Sequence, residues 1–225
     1  MKIAIDGPAG AGKSTVAQQI ASELNFVYID TGAMYRALAW ATLQQGVPVD
    51  NQQEVSALLT SARIELRREE DGQHVYWNDQ DITSLIRTQE VSNHASIVAS
   101  YGDVRAQMLV LQRMMAESGN VVMDGRDIGT HVLPNADVKI FLTASVDERA
   151  QRRYAELIGK GNEADLEQLK QEIAERDKRD SEREVAPLRQ ADDAVLVDTT
   201  GLSIDQVVDK ILTICKQAGE GSGIV

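Results

Sequence analysis

One cysteine, Cys215, occurs among 225 residues. No intrachain disulfide is possible, which suits a reducing compartment. No stretch approaches the ~20 apolar residues of a membrane span, and the opening run Met1-Lys2-Ile3-Ala4-Ile5-Asp6 is too short for a signal peptide. A cytoplasmic protein is expected. Positive charge is scarce: 23 Lys and Arg stand against 35 Asp and Glu, for a net charge of −12. Such a chain repels nucleic acid and anionic membrane, so neither is expected as a partner. Aromatics make up only 4%, so Leu, Ile, Val and Ala must fill the core. The three histidines, His74, His94 and His131, are scattered without a metal-ligand spacing and are expected in packing or on the surface. No Asn-Lys-x-Asp motif is present to read guanine, and no internal repeat or low-complexity tract occurs.

What is there is ordinary in amount, with 43% hydrophobic and 26% charged residues. The length fits one α/β domain with an insertion and allows a sizeable core. The scarce cations are unevenly spread, with arginines gathered at 149–153 and 176–189. Any anionic ligand would have to be held there against the overall field.

Short apolar strands are expected at Ile3–Asp6, Phe26–Asp30, Asn120–Asp124, Val138–Leu142 and Ala194–Val197. Helices are expected at Lys13–Leu24, from Thr31 as N-cap, at Val55–Thr60, Arg87–Ala99, Asp103–Glu117, Val146–Ile158, Ala164–Arg179 and Ile204–Cys215. Arg63 to Asn78 reads differently. Ile64 and Leu66 alternate with polar residues, Asp71-Gly72 offers a hairpin turn, and Val75, Tyr76 and Trp77 follow. Trp40 and Trp77 are candidate packing anchors, and Cys215 a buried small hydrophobe. The Gly-rich tail from Gly219 to Val225 is expected to be disordered. Strands alternating with amphipathic helices argue for a parallel sheet covered on both faces, with ligands at the carboxyl ends of the strands. That gathers Gly7, Asp30, Asp124 and Thr143 along one edge.

Gly7-Pro8-Ala9-Gly10-Ala11-Gly12-Lys13-Ser14 matches G-x-x-x-x-G-K-[ST], after a strand and opening a helix. Its backbone N–H groups, with those of Ser14 and Thr15 at the helix start, can cradle phosphate. Lys13 can reach the β- and γ-phosphates, and the Ser14 hydroxyl can ligate Mg²⁺. The motif establishes a nucleoside triphosphate, not a reaction.

Two further segments follow strands: Asp30-Thr31-Gly32-Ala33-Met34-Tyr35-Arg36 and Asp124-Gly125-Arg126-Asp127. A hydroxyl and an arginine at a helix start suit a second phosphate, and Asp124 could hold Mg²⁺ through water. The stripe Leu166, Leu169, Ile173 continues at the same spacing into Arg176, Asp180 and Arg183. The inward line therefore switches from apolar to charged within one helix. That suggests a buried polar site, the alternative being an exposed salt-bridge face.

These segments, with Ile86-Arg87-Thr88-Gln89-Glu90-Val91, Ile128-Gly129 and the stretch from Arg176 to Leu188, resemble the bacterial cytidylate kinases, in order and over nearly the whole chain. The resemblance implies a P-loop three-layer α/β fold with a central five-stranded parallel sheet. It also implies a monophosphate-binding insertion at about 37–100 containing a small antiparallel sheet, and a lid at about 150–162 flanked by Gly159 and Gly161. The activity implied is ATP- and Mg²⁺-dependent phosphorylation of CMP and dCMP by a monomer. Carried over by position, the acceptor-phosphate residues are Thr31, Arg36, Arg126 and Arg183. The cytosine residues are Ser96, Arg105 and Asp127, and the ribose residues Arg176 and Asp180. Arg149 and Arg153 resemble lid arginines, one over the adenine and one on the phosphates, with Arg152 competing for the role. Thr31 stands where many relatives have Ser and keeps the hydroxyl. Two other readings stay open: a P-loop kinase for another small acceptor, and a nucleotide-binding regulatory protein without transferase activity.

Overall fold

The computed structural model describes residues 1–117 and 119–221. The chain forms two compact units, one of Met1–Tyr28 and Gly119–Val225, the other of Ile29–Ser118.

The first unit is built on a five-stranded parallel sheet. Its strands are β1 (Lys2–Asp6), β2 (Val27–Asp30), β6 (Val121–Gly125), β7 (Val138–Thr143) and β8 (Val195–Asp198), in the order β2-β6-β1-β7-β8. The register pairs Ile5 with Asp124 and Ile140, and Asp6 with Gly125 and Phe141. The carboxyl ends of β6 and β1 are thereby level, while β7 runs on to Thr143. Strand β1 is central, so Ile3, Ala4 and Ile5 are fully buried, as expected of a continuous apolar run in a parallel sheet. Helices α1 (Lys13–Glu23) and α8 (Ile204–Gly221) pack Val16, Ile20, Val207 and Ile211 into the same core. A smaller cluster joins Ala150 of α6 (Val146–Gly159) to Leu169 and Ile173 of α7 (Leu166–Glu182).

The second unit has its own core, shared by α2 (Thr31–Gln45), α3 (Gln52–Thr60), α4 (Gln89–Val98), α5 (Gly102–Ala116) and an antiparallel sheet of β3 (Ile64–Glu69), β4 (Gly72–Trp77) and β5 (Gln80–Asp81). The sheet pairs Ile64 with Trp77 and Glu69 with Gly72, so the turn residues are Glu70 and Asp71, one residue before the expected Asp71-Gly72, and Gly72 already opens β4. Trp77 is buried there, and Trp40 packs against the same core.

Three further local expectations are corrected. The N-cap of α2 is Asp30, not Thr31: its carboxylate accepts from the Ala33 amide at 2.8 Å, which a charged acceptor does better than a hydroxyl. Helix α7 runs on to Glu182, because Asp180 is buried and ion-paired in its last turn. Helix α8 continues past Cys215 to Gly221, with Ala218 still packed on the core. The expected disordered tail therefore begins inside a helix, and residues 222–225 lie outside the described residues. Cys215 is buried, and burial pushes its thiol up to about 11. No helix among the described residues is long and apolar enough to cross a membrane.

Candidate active site

The end of β1 runs directly into the phosphate loop. Gly7 has φ +149°, and a Cβ there would lie 2.1 Å from the Leu142 carbonyl oxygen of β7. Only glycine lets the chain turn so close to the neighbouring strand. Gly12 is the N-cap of α1 and offers no side-chain cap, so the first amides of the helix remain suited to an anion. Lys13 is buried, and its Nζ donates to the Pro8 carbonyl at 2.7 Å. Burial, then the Arg126 cation, holds this amine well below its usual range, with Asp124 and Asp6 pulling the other way. An arriving polyphosphate would complete its charge balance.

Ser14 Oγ donates to Asp124 Oδ2 at 2.9 Å, and the Tyr28 hydroxyl donates to Asp124 Oδ1 at 2.8 Å. Asp124 itself is buried at the end of β6. A hydroxyl and a carboxylate so placed are hard oxygen donors of the kind Mg²⁺ takes.

On the next residues of the same strand end, Arg126 Nε donates to Asp180 Oδ2 at 2.9 Å, and an Arg183 Nη lies 3.5 Å from Asp127 Oδ1. Burial pushes Asp180 upward, but the cations of Arg126, Arg176 and Arg183 outweigh it and leave this carboxyl below its usual range. The inward stripe of α7 thus ends in a buried charged cluster, as its spacing predicts. Arg183 has just left the helix as its C-cap, its Nε donating to the Ala186 carbonyl at 2.7 Å.

The arginines of α6 divide. Arg149 is buried behind the phosphate loop, donating to Ala9 O at 2.9 Å, Ala144 O at 3.0 Å and Asp177 at 2.6 Å. A Cβ on Gly10 would meet its Cβ at 3.3 Å. Arg152 is held by Glu148 and by Thr199, to whose carbonyl it donates at 2.7 Å. Arg153 pairs with Glu156 at 2.8 Å. All three line a cavity of about 440 Å³ beside Thr15, Leu202 and Ile204.

The second unit carries the remaining residues. Arg36 pairs with Asp30 at 2.8 Å, beside the buried Thr31. Arg105 is buried on α5, donating to the Ala99 carbonyl at the end of α4 at 3.2 Å, with its guanidinium 5.7 Å from the Tyr35 ring centre. Ser96 is buried on α4.

Sequence reasoning missed Asp6, Tyr28 and Asp177, none of which belongs to a spaced motif. It also missed a charged group on the hairpin, where His74 lies 2.8 Å from Asp71 and 2.7 Å from Asp81, near Glu69. Glu69, Asp71 and His74 could together reach one metal ion, but the bonds present are those of an imidazolium between carboxylates. Opposite charges raise His74 above its usual range, first through Asp81 and then Asp71.

Comparison with known proteins bears on this geometry. The family model described as cytidylate kinase matches residues 3–217. A cytidylate kinase from a Geobacillus species is 58% identical over 217 residues, covering 96% of this chain and 97% of that protein. One from Bacillus cereus is 56% identical over 214 residues, covering 95% of each. Among solved structures, an uncharacterized protein from Eubacterium ventriosum covers 95% of this chain and 97% of its own at a TM-score of 0.54 and 14% identity. A gluconokinase from Sinorhizobium meliloti covers 97% and 94% at a TM-score of 0.50 and 17% identity. These two share the fold.

Proposed function

The chain belongs to the cytidylate kinase family, and from that premise we propose that it transfers the γ-phosphoryl group of ATP to CMP and dCMP, giving CDP and dCDP, with UMP a poorer acceptor. The observation that carries this reading lies within the first unit. A phosphate loop with a buried lysine stands beside an arginine–carboxylate cluster: Ser14 of the loop donates to Asp124 at 2.9 Å, and Arg126, two residues on, donates to Asp180 at 2.9 Å. Such an arrangement suits two anions brought together in line.

An oxygen of the acceptor phosphate forms the new bond to the γ-phosphorus. The bond to the bridging oxygen breaks, and ADP leaves with the electron pair. The acceptor's second pKa is about 6, so it is largely dianionic at neutral pH and needs no general base. Positioning and charge stabilisation are what remain. The amides of Gly7 to Thr15 hold the donor's phosphates, with Lys13 at the β- and γ-oxygens. Ser14 directly, and Asp124 through water, would hold Mg²⁺, which when bound neutralises charge between those phosphates. Arg126, Arg183 and Arg153 stabilise charge on the moving group, and Arg149 backs the donor site. Thr31 and Arg36, with Arg126 and Arg183, hold the acceptor phosphate, and Arg176 and Asp180 its ribose. Ser96, Arg105 and Asp127 read the base. The Asp127 carboxylate accepts from the cytosine amino group, whereas uracil would present a carbonyl there and leave both acceptors unpaired.

ADP release from ATP and Mg²⁺ tests this with CMP, dCMP, UMP, AMP and shikimate as separate acceptors beside an acceptor-free control. Strong turnover with CMP and dCMP, weak with UMP and none otherwise is expected. Tight ATP binding without turnover on any acceptor overturns the proposal in favour of a regulatory protein.

A further inference from the structure

Asp6 is a carboxylate that the chemistry above does not use, yet it is buried. It closes β1 immediately before the phosphate loop and is only 4% exposed. Its Oδ1 accepts from the Ile128 amide at 2.8 Å and its Oδ2 from the Gly129 amide at 2.7 Å. These two N–H groups open a π-helical turn over Ile128–Val132, whose N-cap position is Asp127. An aspartate at an N-cap ordinarily accepts from the turn's own first amides. Asp127 makes no such bond. Asp6 supplies the cap from another strand, and the Asp127 carboxylate faces Arg183 instead.

We infer that Asp6 is a positioning residue for acceptor recognition, fixing through the Ile128 and Gly129 amides the backbone that presents Arg126 and Asp127. The role assigned to Asp127 rests on the function proposed above.

Three observations support this. Both carboxylate oxygens are engaged by consecutive amides, so the segment after Asp127 cannot shift without breaking a buried bond. Gly129 lies against the carboxylate in a close-packed corner: a Cβ there would stand 3.2 Å from Lys139 Cδ and 3.4 Å from Asp6 Oδ2. Burial raises the Asp6 carboxyl to about 7 although both amide bonds and Lys13 oppose the rise, so the two amides are what favour the carboxylate form in a site that otherwise disfavours it. A side chain acting through a neighbour's backbone has leverage, because small misplacement of a binding group can cost up to ~10²-fold.

The test is Asp6→Asn, which keeps the shape but sets an NH₂ against one of the two amides. KM for CMP should rise about tenfold or more, and the CMP/UMP preference should narrow, while KM for ATP changes less than about threefold. If the KM values for ATP and CMP rise together, or neither moves, Asp6 is a structural residue and the inference falls. Should Asp6→Asn fail to fold, Asp6→Glu decides, since it keeps the carboxylate but displaces its oxygens from the Ile128 and Gly129 amides by a methylene. It should weaken CMP and spare ATP, and equal effects on both overturn the inference. Combining Asp6→Asn with Asp127→Ala separates this inference from the reading beneath it. If Asp127→Ala alone leaves the CMP/UMP ratio unchanged, the base-reading role fails, and Asp6 is then judged on KM for CMP, because Arg126 rides on the same segment. If both single variants narrow the ratio and their effects simply multiply, Asp6 does not act through Asp127.

Discussion

The two units bury charge very differently. The first encloses Asp6, Lys13, Asp124, Asp127, Lys139, Arg149 and Asp180, whereas Arg105 is the one formally charged side chain buried among the described residues of the second. The second unit's other buried polar groups are the neutral Thr31, Thr42, Ser96 and Gln112; Arg36 and Asp30 form a half-buried ion pair, and further ion pairs lie on the hairpin, where Arg63 and Arg67 flank Glu65 and Asp79. Withdrawing a charge from water costs several kcal/mol unless partners repay it (roughly, for real proteins). A unit that accepts this repeatedly, around the phosphate loop and the ends of β1 and β6, is arranged as a site for anions would be. A unit that leaves its charges on the surface is held together by its apolar core. The hairpin charges should therefore be dispensable where those of the first unit are not.

Lys13→Met attacks that contrast hardest. kcat should fall by about 10²–10³, as for the loss of one group stabilising transition-state charge. Stability should hold or rise, because burial already disfavours this ammonium. A variant that unfolds at lower temperature while keeping most of its kcat would make Lys13 a structural residue.

Asp180→Ala should be the costliest for stability. It strands Arg126, whose Nε now donates to Asp180 at 2.9 Å, and breaking a buried pair from one side costs about 3–5 kcal/mol. Because the cations around it depress the Asp180 carboxyl below its usual value, its contribution is present above that usual value and fades as pH falls through the depressed one. Urea midpoints of the parent protein should drop in acid more steeply than those of the variant. Parallel profiles would remove Asp180 from the ion-pair account.

Much of this contrast can be read in the sequence, for identifiable reasons. The phosphate loop is a local pattern, and the charged end of α7 is visible because helical spacing carries Ile173 into Arg176 and Asp180. Asp6, Asp177 and Tyr28 could not be found that way. Each is one polar residue whose partner lies far along the chain, as Tyr28 and Asp124 do, and only the tertiary fold brings them together: the sheet for Tyr28 and Asp6, the packing of α7 against α6 for Asp177. The π-helical turn at Ile128 is hidden for the same reason, since its cap comes from β1 rather than from its own Asp127. Asp30 displaces Thr31 as a cap because both sit at the same strand end, and spacing alone cannot rank two adjacent acceptors.

Glu65→Gln probes the other side of the comparison. It leaves Arg63, just before β3, and Arg67, on it, with Asp79 as the acidic partner that remains among the described residues, at 3.8 and 3.4 Å. Exposed pairs contribute little because water screens them. Tm should move by no more than about 2 °C, and kcat should stay unchanged. A larger drop in either would mean the hairpin's charges hold the unit after all.

The smallest effect expected is local and depends on pH. His74 of β4 sits between Asp81 of β5, at 2.7 Å, and Asp71 of the turn, at 2.8 Å. Asp81, itself held near 2 chiefly by the Thr83 hydroxyl and amide, then by His74, remains ionised throughout the neutral range. The imidazole is accordingly raised above its usual value by Asp81 first and Asp71 second. A base stronger in the folded hairpin than in the unfolded chain stabilises the hairpin while protonated. The contribution is complete below the ordinary histidine value of about 6.5 and disappears as pH climbs through the raised one. The group is half-buried on the hairpin and outside the unit's core, so the readout should be opening of the hairpin rather than of the whole unit. The Val75 amide, which donates to Thr83 Oγ1 at 2.9 Å, reports it. Corrected for intrinsic exchange, its protection should fall across that window in the parent protein and stay level in His74→Gln, while Met108 amide protection, deep in the same unit's core, should not change with pH in either. Identical slopes for Val75 in both proteins would show that the imidazolium does not tie the strands together.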